Sequence, residues 1–270
     1  MYKRHFIGDC SLRLDEFLYQ KGISKKILKA IKLQGDILVN DVHQTVRYQV
    51  QCDDEITLIY PEEICEIPPV DIPLKVVYED DYLLVIDKQK DLACIPTRTH
   101  YDRTLAHALS YYYHQHDIHS TIHFINRLDK DTQGLMLVAK YREVHDMMTK
   151  DIKHIFRKYC AHVSGVIGSG TINLPIYKDG HQMRRIIDSR GKPSCTHYRC
   201  LKTMEDMSLV ECVLETGRTH QIRVHMSSIG HPLRGDTLYD GKEGPFDLTS
   251  MMIAFVHPVT KQIKVITKKL

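Results

Sequence analysis

The spacing of apolar residues near the N-terminus predicts a small unit made of two helices and two strands. The second helix begins after Ser24, which can cap it, and ends at Gly35, while apolar side chains recur on one of its faces. Alternating apolar residues then predict strands at residues 37–41 and 53–59. Because residues 12–15 open the first helix, the expected order is helix, helix, strand, strand.

From residue 74 onward, short apolar runs alternate with a few amphipathic segments. The apolar runs predict strands at residues 83–86, 135–138, 159–163 and 209–214. The amphipathic segments predict helices at residues 105–113 and 144–156. Elements in this order are typical of an α+β domain whose sheet is mixed and mainly antiparallel.

Prolines and glutamates separate these two regions. Residues 61–73 contain four prolines and three glutamates, a composition that predicts a stiff and extended linker. The chain has 270 residues, enough for one large core and a small accessory domain. We therefore expect an N-terminal α+β unit at residues 1–60, the linker, and a larger α+β domain at residues 74–270.

Composition narrows the classes of protein that the chain can belong to. Hydrophobic residues make up 43% of it, but no apolar run approaches the ~18 residues that a membrane span needs. The first residues lack the apolar region of a signal peptide, so we expect a cytoplasmic protein. The 8 cysteines include no Cys-x-x-Cys pair, and no His-Glu-x-x-His spacing occurs, so we expect free thiols and no metal site.

The net charge is only +3, so the distribution of charge is more informative than its sum. Lys25, Lys29 and Lys32 recur at intervals of four and three residues on the helix face opposite its apolar side. Such a stripe can contact phosphates of a nucleic acid. An ordinary solvated helix face is the alternative interpretation.

The segment at residues 125–140 places a carboxylate at a turn just before an apolar strand. Asp129 is fixed there between an apolar entry segment and the predicted strand at residues 135–138, which favours a reactive role. In the alternative, Asp129 and Asp131 only form an Asx-type turn before the strand. This segment alone does not decide between the two.

A second segment, at residues 215–226, concentrates two arginines, two histidines and a glutamine. It predicts a strand end, a turn at Gly217 and a helix capped by Thr219. We expect Arg223 to keep Asp129 ionised, and Arg218 with the first backbone amides of the helix to bind phosphate. The alternative of a solvated charged helix is disfavoured because apolar residues interleave with the polar ones.

Together these segments resemble the motifs of the RluA-type family of RNA pseudouridine synthases. The catalytic-loop motif appears as Asn126-Arg127-Leu128-Asp129 with Thr132-Gln133-Gly134-Leu135, a Lys-x-Tyr motif as Arg157-Lys158-Tyr159, and a third as Thr216-Gly217-Arg218-Thr219-His220-Gln221-Ile222-Arg223-Val224-His225. Further matching blocks are Val77 to Lys88, Gly191 to Tyr198, and Gly230 to Tyr239. Asn126 and Gln133 stand where the family usually has His and Ser, and we expect Asn126 to alter how the loop contacts RNA.

The resemblance implies a pseudouridine synthase fold and roles for individual residues. Asp129 would act as a nucleophile or as the base that removes a sugar proton. Tyr159 would stack on the flipped base or move the proton at its ring carbon, and Arg127 would fill the space that the base leaves. The reaction rearranges one nucleotide without outside atoms or electrons, so no cofactor is expected.

The N-terminal unit resembles the alpha-L RNA-binding domain of the same family. Large-subunit ribosomal RNA is therefore the favoured partner, with transfer RNA as the alternative. Two other classes of protein stay in view: a non-catalytic RNA-binding ribosome-assembly factor, and a glycosidase-like hydrolase with Asp131 as its second carboxylate. Product analysis separates these classes, since hydrolysis frees uracil, isomerisation releases nothing, and an assembly factor changes no nucleotide.

Overall fold

The computed structural model describes residues 2–97, 101–150, 152–180 and 182–269. The chain forms two compact units, the first comprising Met1–Glu66 and Tyr113–Thr121 and the second Ile67–Tyr112 and Ile122–Leu270. Among the described residues, every helix is too short or too polar to cross a membrane.

The first unit contains a four-stranded antiparallel sheet and two helices. Its elements are β1 (Lys3–Ile7), α1 (Leu14–Gln20), α2 (Lys25–Gln34), β2 (Asp36–Val39), β3 (Val42–His43) and β4 (Glu55–Ile59). The sheet order is β1-β4-β2-β3. As predicted, Ser24 Oγ caps α2 by accepting a hydrogen bond from Ile27 N at 3.2 Å, and the helix ends before Gly35. Leu28 and Ile31 form its buried face.

Strand β1 was not predicted from the sequence. It pairs antiparallel with β4 along its whole length. Its sequence, Lys-Arg-His-Phe-Ile, has no alternation of apolar and polar residues, and none of its side chains is fully buried. Backbone pairing with β4, rather than burial of one face, therefore holds this edge strand in place.

The second unit contains most of the chain's secondary structure. Its strands are β5 (Val76–Glu79), β6 (Leu83–Lys88), β7 (His123–Phe124), β8 (Gln133–Ala139), β9 (Phe156–Ser164), β10 (Ser169–Asn173), β11 (Ile176–Lys178), β12 (Arg185–Ile187), β13 (Cys195–Thr203), β14 (Met207–Leu214), β15 (Leu248–Val256) and β16 (Ile263–Thr267). Its helices are α3 (Leu105–Gln115), which ends in the first unit, α4 (Arg142–Lys150) and α5 (Gln221–Ser228).

Ten of these strands form one sheet within the described residues. Its order is β10-β13-β14-β9-β15-β8-β6-β5, with β16 added to β15 and β7 to β8, while β11 and β12 form a separate hairpin. The pairs are antiparallel apart from β8 with β15, which run parallel. The predicted α+β class with a mixed, mainly antiparallel sheet is confirmed.

The predicted helix at residues 144–156 is too long. Helix α4 ends at Lys150, a short 3₁₀ turn covers Ile152–His154, and β9 already begins at Phe156. Residue 151 lies outside the described part of the chain. Phe156 pairs with Ala254 of β15, so strand pairing with a distant segment ends the helical stretch earlier than its local pattern suggests.

Residues between β4 and β5 form no helix or strand, and the boundary between the two units, Glu66 to Ile67, falls inside the predicted linker. The first unit also includes Tyr113–Thr121, a segment that the sequence assigned to the larger domain. The division into an RNA-binding domain, a linker and a catalytic domain stays a prediction.

The parallel junction of β8 and β15 lies directly after the segment that carries Asp129. Gly134 has φ +108°, and a Cβ on it would lie 2.3 Å from the carbonyl oxygen of Ser250. Only glycine therefore allows the two strands to approach here. Since β6 and β8 are almost entirely buried, the loop before β8 starts from a rigid base.

Candidate active site

Asp129 lies in a cavity of about 620 Å³ in the second unit. Its walls come from the loop before β8, from β9, and from the turn between β14 and α5. Five of the residues singled out in the sequence line it: Asp129, Tyr159, Arg223, Arg127 and Arg218. Asp131, considered above as a second carboxylate, is not part of the lining.

Backbone and side-chain hydrogen bonds hold the loop of Asp129 against β8. Ile125 N donates to Leu137 O at 3.0 Å, and Leu137 N donates to Asn126 Oδ1 at 2.7 Å. Thr132 N donates to Asp129 O at 3.2 Å, which closes the turn. About a quarter of the Asp129 side chain, 25%, stays exposed, so the loop fixes the carboxylate and leaves it open to the cavity.

Lys88 supports the same loop from the protein interior. Its buried Nζ donates to the carbonyl oxygens of Gln89, Leu92 and Lys130 at 2.9, 2.8 and 2.8 Å. Burial lowers the pKa of Lys88 to about 8. Because Lys130 follows Asp129 directly, the amino group of Lys88 ties the turn of the carboxylate to the end of β6.

The sequence predicted that Arg223 pairs with Asp129. In the structure, Arg223 makes its bidentate contact with Asp236 instead. Its Nε and Nη2 donate to the two carboxylate oxygens of Asp236, each at 2.7 Å. Nη1, the third nitrogen, lies 3.7 Å from Asp129 Oδ2. Burial opposes the charge of Arg223, but the bonds to Asp236 raise its pKa above the ordinary value.

Two aromatic rings hold the guanidinium of Arg223 in place. Its central carbon lies 5.2 Å from the ring centroid of Tyr239 and 5.1 Å from that of Phe246. Asp236 is fully buried and Arg223 almost so. Arg223 is thus anchored by Asp236 and the two rings, and it presents its remaining nitrogen to Asp129.

His220 brings a second nitrogen to the carboxylate. Its Nε2 lies 3.9 Å from Asp129 Oδ2, and its Nδ1 is 2.9 Å from the hydroxyl of Tyr239. The same hydroxyl accepts a hydrogen bond from Arg185 N at 2.7 Å, which fixes it beside the His220 ring. Burial lowers the pKa of His220, and Asp129 opposes this shift.

The turn before α5 differs from its predicted form. The capping position is taken by His220, with φ +57°, so the predicted cap by Thr219 is wrong. The side chain of Gln221 organises the turn instead, because its Oε1 accepts hydrogen bonds from Arg218 N at 3.0 Å and Thr216 Oγ1 at 2.8 Å. Its Nε2 donates to Cys195 O at 2.9 Å, which joins the turn to β13.

Tyr159 projects from the buried face of β9 into the cavity. Its side chain is 5% exposed. Burial raises the pKa of Tyr159; Arg157 works against this shift, while Asp129 adds to it. The hydroxyl therefore stays protonated at neutral pH and can give or relay a proton.

Among the described residues, one group of three side chains has the atoms to bind a metal ion. Cys195, His197 and Glu215 place their ligand atoms within 4.8 Å of one another. His197 Nε2 already makes a 2.7 Å contact with Glu215, and its Nδ1 a 2.8 Å contact with Thr171. Because His197 and Glu215 are substantially exposed, a surface hydrogen bond between them explains the cluster.

Comparison with known proteins shows which protein family the chain belongs to. A family model described as RNA pseudouridylate synthase matches residues 82–228, more than half of the chain. The chain belongs to this family. The resemblance to RluA-type RNA pseudouridine synthases is confirmed. The predicted class of enzyme, an isomerase, is confirmed as well, and it is favoured over the alternatives of a hydrolase and a non-catalytic assembly factor.

Relatives and solved structures of the family agree with this. Over 262 residues, 93% of each chain, the protein is 38% identical to an uncharacterized RNA pseudouridine synthase of Bacillus subtilis, YjbO. Over 179 residues it is 46% identical to ribosomal large subunit pseudouridine synthase D of Pseudomonas aeruginosa, covering 64% of this chain and 55% of that one. Human RNA pseudouridylate synthase domain containing 1 superposes with a TM-score of 0.60 at 25% identity, covering 73% of this chain and 84% of the other.

The two departures from the family motif have structural roles. Asn126 is buried against β8 and also lines the cavity, and its effect on RNA contacts stays a prediction. Its Nδ2 has no hydrogen-bond partner among the residues that the structure describes. Gln133 Nε2 donates to Thr249 Oγ1 at 3.2 Å, across the parallel junction of β8 and β15.

The predicted RNA-contacting residues lie at two places in the pseudouridine synthase. Arg127 and Arg218 are exposed at the cavity, and Arg218 Nε is 3.3 Å from Pro193 O. The stripe of Lys25, Lys29 and Lys32 is exposed on α2 in the first unit. Sequence reasoning assigned no role to Asp236 or Lys88, because their contacts depend on distances that only the fold provides.

Proposed function

We propose that this chain converts specific uridines of large-subunit ribosomal RNA to pseudouridine, with Asp129 as the carboxylate that acts on the ribose. The observation that carries the proposal is the position of Asp129: partly exposed in the cavity, with Arg223 Nη1 at 3.7 Å and His220 Nε2 at 3.9 Å. Both nitrogens face the carboxylate from the cavity wall. Asp129 is thus held in a fixed position with one side open to a substrate.

The isomerisation rearranges a single nucleotide. The bond between N1 of uracil and C1′ of ribose breaks, the base turns within the cavity, and a bond forms between C5 and C1′. C5 loses its proton and N1 gains one, so atoms and electrons balance within the substrate. The protein has to supply a carboxylate, a path for the proton and a pocket for the loose base.

Asp129 can perform its part in two ways. As a nucleophile it attacks C1′ and holds the sugar while the base turns. As a base it removes the proton from C2′, which expels uracil as C1′ and C2′ form a double bond, and it returns the proton to C2′ when C5 bonds to C1′. In both, Arg223 and His220, with nitrogens at 3.7 and 3.9 Å, keep the carboxylate in place.

The remaining residues of the cavity fit a base flipped out of its RNA. Extruding a base costs a few kcal/mol, and stacking on Tyr159 offsets about 1–3 kcal/mol of this. The hydroxyl of Tyr159 lies in the cavity and is protonated at neutral pH, so it can give its proton to N1 and take up the one that C5 loses. Exposed Arg127 and Arg218 are placed to fill the gap in the RNA and to bind its phosphates.

Several relatives support ribosomal RNA as the substrate. Proteins of Pseudomonas aeruginosa, Zymomonas mobilis and Haemophilus ducreyi named ribosomal large subunit pseudouridine synthase D are 46%, 38% and 38% identical to this chain over the matched regions. We extend their substrate class to this protein. In our proposal the first unit serves as the RNA-binding domain and uses the lysine stripe of α2 to place the RNA.

Mapping pseudouridines in cellular RNA tests this proposal. Total RNA from cells with and without the protein is sequenced after a treatment that marks pseudouridine. We expect one or a few sites in large-subunit ribosomal RNA to disappear without the protein and to return with wild type, but not with Asp129→Asn. Loss of sites only in transfer RNA would contradict the proposed substrate, and restoration by Asp129→Asn would contradict the role of Asp129.

A further inference from the structure

A second buried arginine, Arg157, lines the cavity beside Tyr159. The two residues are separated by one position on β9, so their side chains project from the same face of the strand. Arg157 is buried, with 4% of its surface exposed, whereas Arg127 and Arg218 are both exposed residues. Arg157 therefore lies among the inner walls of the cavity rather than at its rim.

Arg157 has no carboxylate to balance its charge within the described part of the chain. Arg223, by comparison, bonds to Asp236 twice and also approaches Asp129. The Nε of Arg157 is buried and without a hydrogen-bond partner in that same part of the protein. Burial lowers the pKa of Arg157, and among the described residues only Tyr159 works against this shift. An unpaired buried cation destabilises a fold unless a ligand provides the missing charge.

The turn before α5 leaves room for this guanidinium. A Cβ on Gly217 would lie 2.7 Å from Arg157 Nη1, closer than non-bonded atoms approach. Gly217 belongs to the same turn as Arg218, and both line the cavity. The glycine of this motif thus leaves room for the side chain of Arg157 to reach the turn.

We propose that Arg157 is the counter-ion of the detached uracil, a role that rests on the proposed function. When the bond from N1 to C1′ breaks, its electron pair stays with the base. The resulting negative charge is shared between N1 and the two carbonyl oxygens. The guanidinium donates hydrogen bonds to one of these oxygens while the base turns, and the charge disappears when C5 bonds to C1′, loses its proton, and N1 is protonated.

Depth in the cavity favours the base over an RNA phosphate as the ligand. Phosphates of a flipped nucleotide stay at the rim, where the exposed Arg127 and Arg218 are available. Arg157 shares a strand face with Tyr159, the residue proposed to stack on the base. A cation that meets negative charge only during the reaction stabilises the transition state more than the bound substrate, and so raises the rate.

Replacing Arg157 tests the proposal with purified full-length protein and RNA. The variants are Arg157→Met, Arg157→Lys and a matched control, Arg199→Met, which removes an exposed arginine of β13 paired with Glu211. We expect Arg157→Met to slow single-turnover pseudouridine formation by about 10²–10³-fold while RNA affinity stays nearly unchanged. Arg157→Lys recovers part of the rate, and Arg199→Met behaves as wild type.

Thermal stability distinguishes this role from a structural one. Because Arg157 has no carboxylate partner among the described residues, Met should leave the melting temperature unchanged or raise it. An Arg157→Met protein with a normal rate would overturn the proposal. A variant with a normal rate at saturating RNA but lost RNA affinity would also overturn it, since the guanidinium would then bind a phosphate. The same holds for a variant whose melting temperature falls together with its rate.

A binding experiment tests the same residue without requiring turnover. Barbiturate is a six-membered cyclic ureide like uracil, but it is an anion at neutral pH. We expect the wild type to bind barbiturate more tightly than neutral uracil, and Arg157→Met to lose this preference. Equal binding of both probes by wild type, or displacement of barbiturate by inorganic phosphate, would overturn the counter-ion role. An Arg157-dependent preference in a protein that modifies no RNA would instead contradict the proposed function.

Discussion

Replacing Asp236 by Asn tests whether this buried residue keeps Arg223 in place. The substitution keeps the size of the side chain and removes the charge that accepts two hydrogen bonds of 2.7 Å from Arg223. The Asp236 side chain is 0% exposed and that of Arg223 is 7% exposed, so water cannot replace the lost partner. Asp129, with Oδ2 at 3.7 Å, is the nearest other carboxylate among the described side chains.

The size of the effect follows from this geometry. Removing one partner of a buried ion pair costs about 3–5 kcal/mol, and the remaining contact with Asp129 points to about 3 kcal/mol. For a domain of roughly 200 residues, a loss of about 3 kcal/mol lowers the melting temperature by roughly 6–12 °C. Asp240→Asn is the matched control, because it breaks an exposed pair with Arg184 and should cost at most about 1 kcal/mol.

Calorimetry and single-turnover kinetics measure the two consequences. We expect Asp236→Asn to melt well below the control and to react more slowly, because Arg223 moves onto Asp129 and alters its position. Replacing both partners, Arg223→Met with Asp236→Leu, should recover much of the stability but not the activity. If Asp236→Asn melts with the control and keeps the wild-type rate, Arg223 does not depend on Asp236.

Three further predictions concern single features. Tyr159→Phe keeps the stacking ring and loses the hydroxyl, so RNA affinity should be kept while the single-turnover rate falls by about 10²–10⁴-fold; an unchanged rate would remove the proton-carrying role. Replacing Lys25, Lys29 and Lys32 together by Ala should flatten the dependence of log affinity on log salt by roughly two units or more without changing the rate at saturating RNA; identical salt slopes would show that this face does not meet RNA. Burial lowers the pKa of His225 below its ordinary value of 6.5, so the unfolded chain binds a proton at this residue more readily than the folded chain does. The melting temperature should therefore fall as the pH drops below about 6.5, and His225→Gln should reduce this fall. The same pH profile of melting temperature in wild type and variant would contradict the prediction.

Local patterns were sufficient to predict several of the helices and strands and much of the cavity, but they missed others, among them β1, β13 and β15. The segment of Asp129 combines a turn with an apolar strand, and the turn before α5 combines Gly217 with a run of polar residues. Both signals lie within a few neighbouring positions, which is the range over which sequence patterns are informative. The fold brings both segments to one cavity.

Contacts between distant segments could not be predicted in the same way. Asp236 lies 13 residues from Arg223 and is just one of several acidic residues nearby in the sequence. Lys88 lies 42 residues from Lys130, the carbonyl it holds. Strand β1 depends on pairing with β4, and the early end of α4 depends on the pairing of β9 with β15. In each case a tertiary partner overrides or completes the local preference.

The helix cap at Thr219 was predicted from residue type alone. Serine and threonine are common caps, and Thr219 precedes a helical pattern. In the structure, the left-handed backbone of His220 turns this residue's ring nitrogen toward Asp129, and Gln221 satisfies the amide of Arg218. A positive φ at a non-glycine residue beside the carboxylate is a strained conformation of the kind found at functional sites.

We propose that the charge of Asp129 is required for pseudouridine formation. The direct measurement is single-turnover conversion of a large-subunit ribosomal RNA fragment by purified wild type and Asp129→Asn, with RNA affinity and melting temperature recorded for both. Asn keeps the shape of the side chain, so we predict normal folding and nearly normal RNA affinity with no detectable pseudouridine. Pseudouridine formed by Asp129→Asn at the wild-type rate would contradict the assignment.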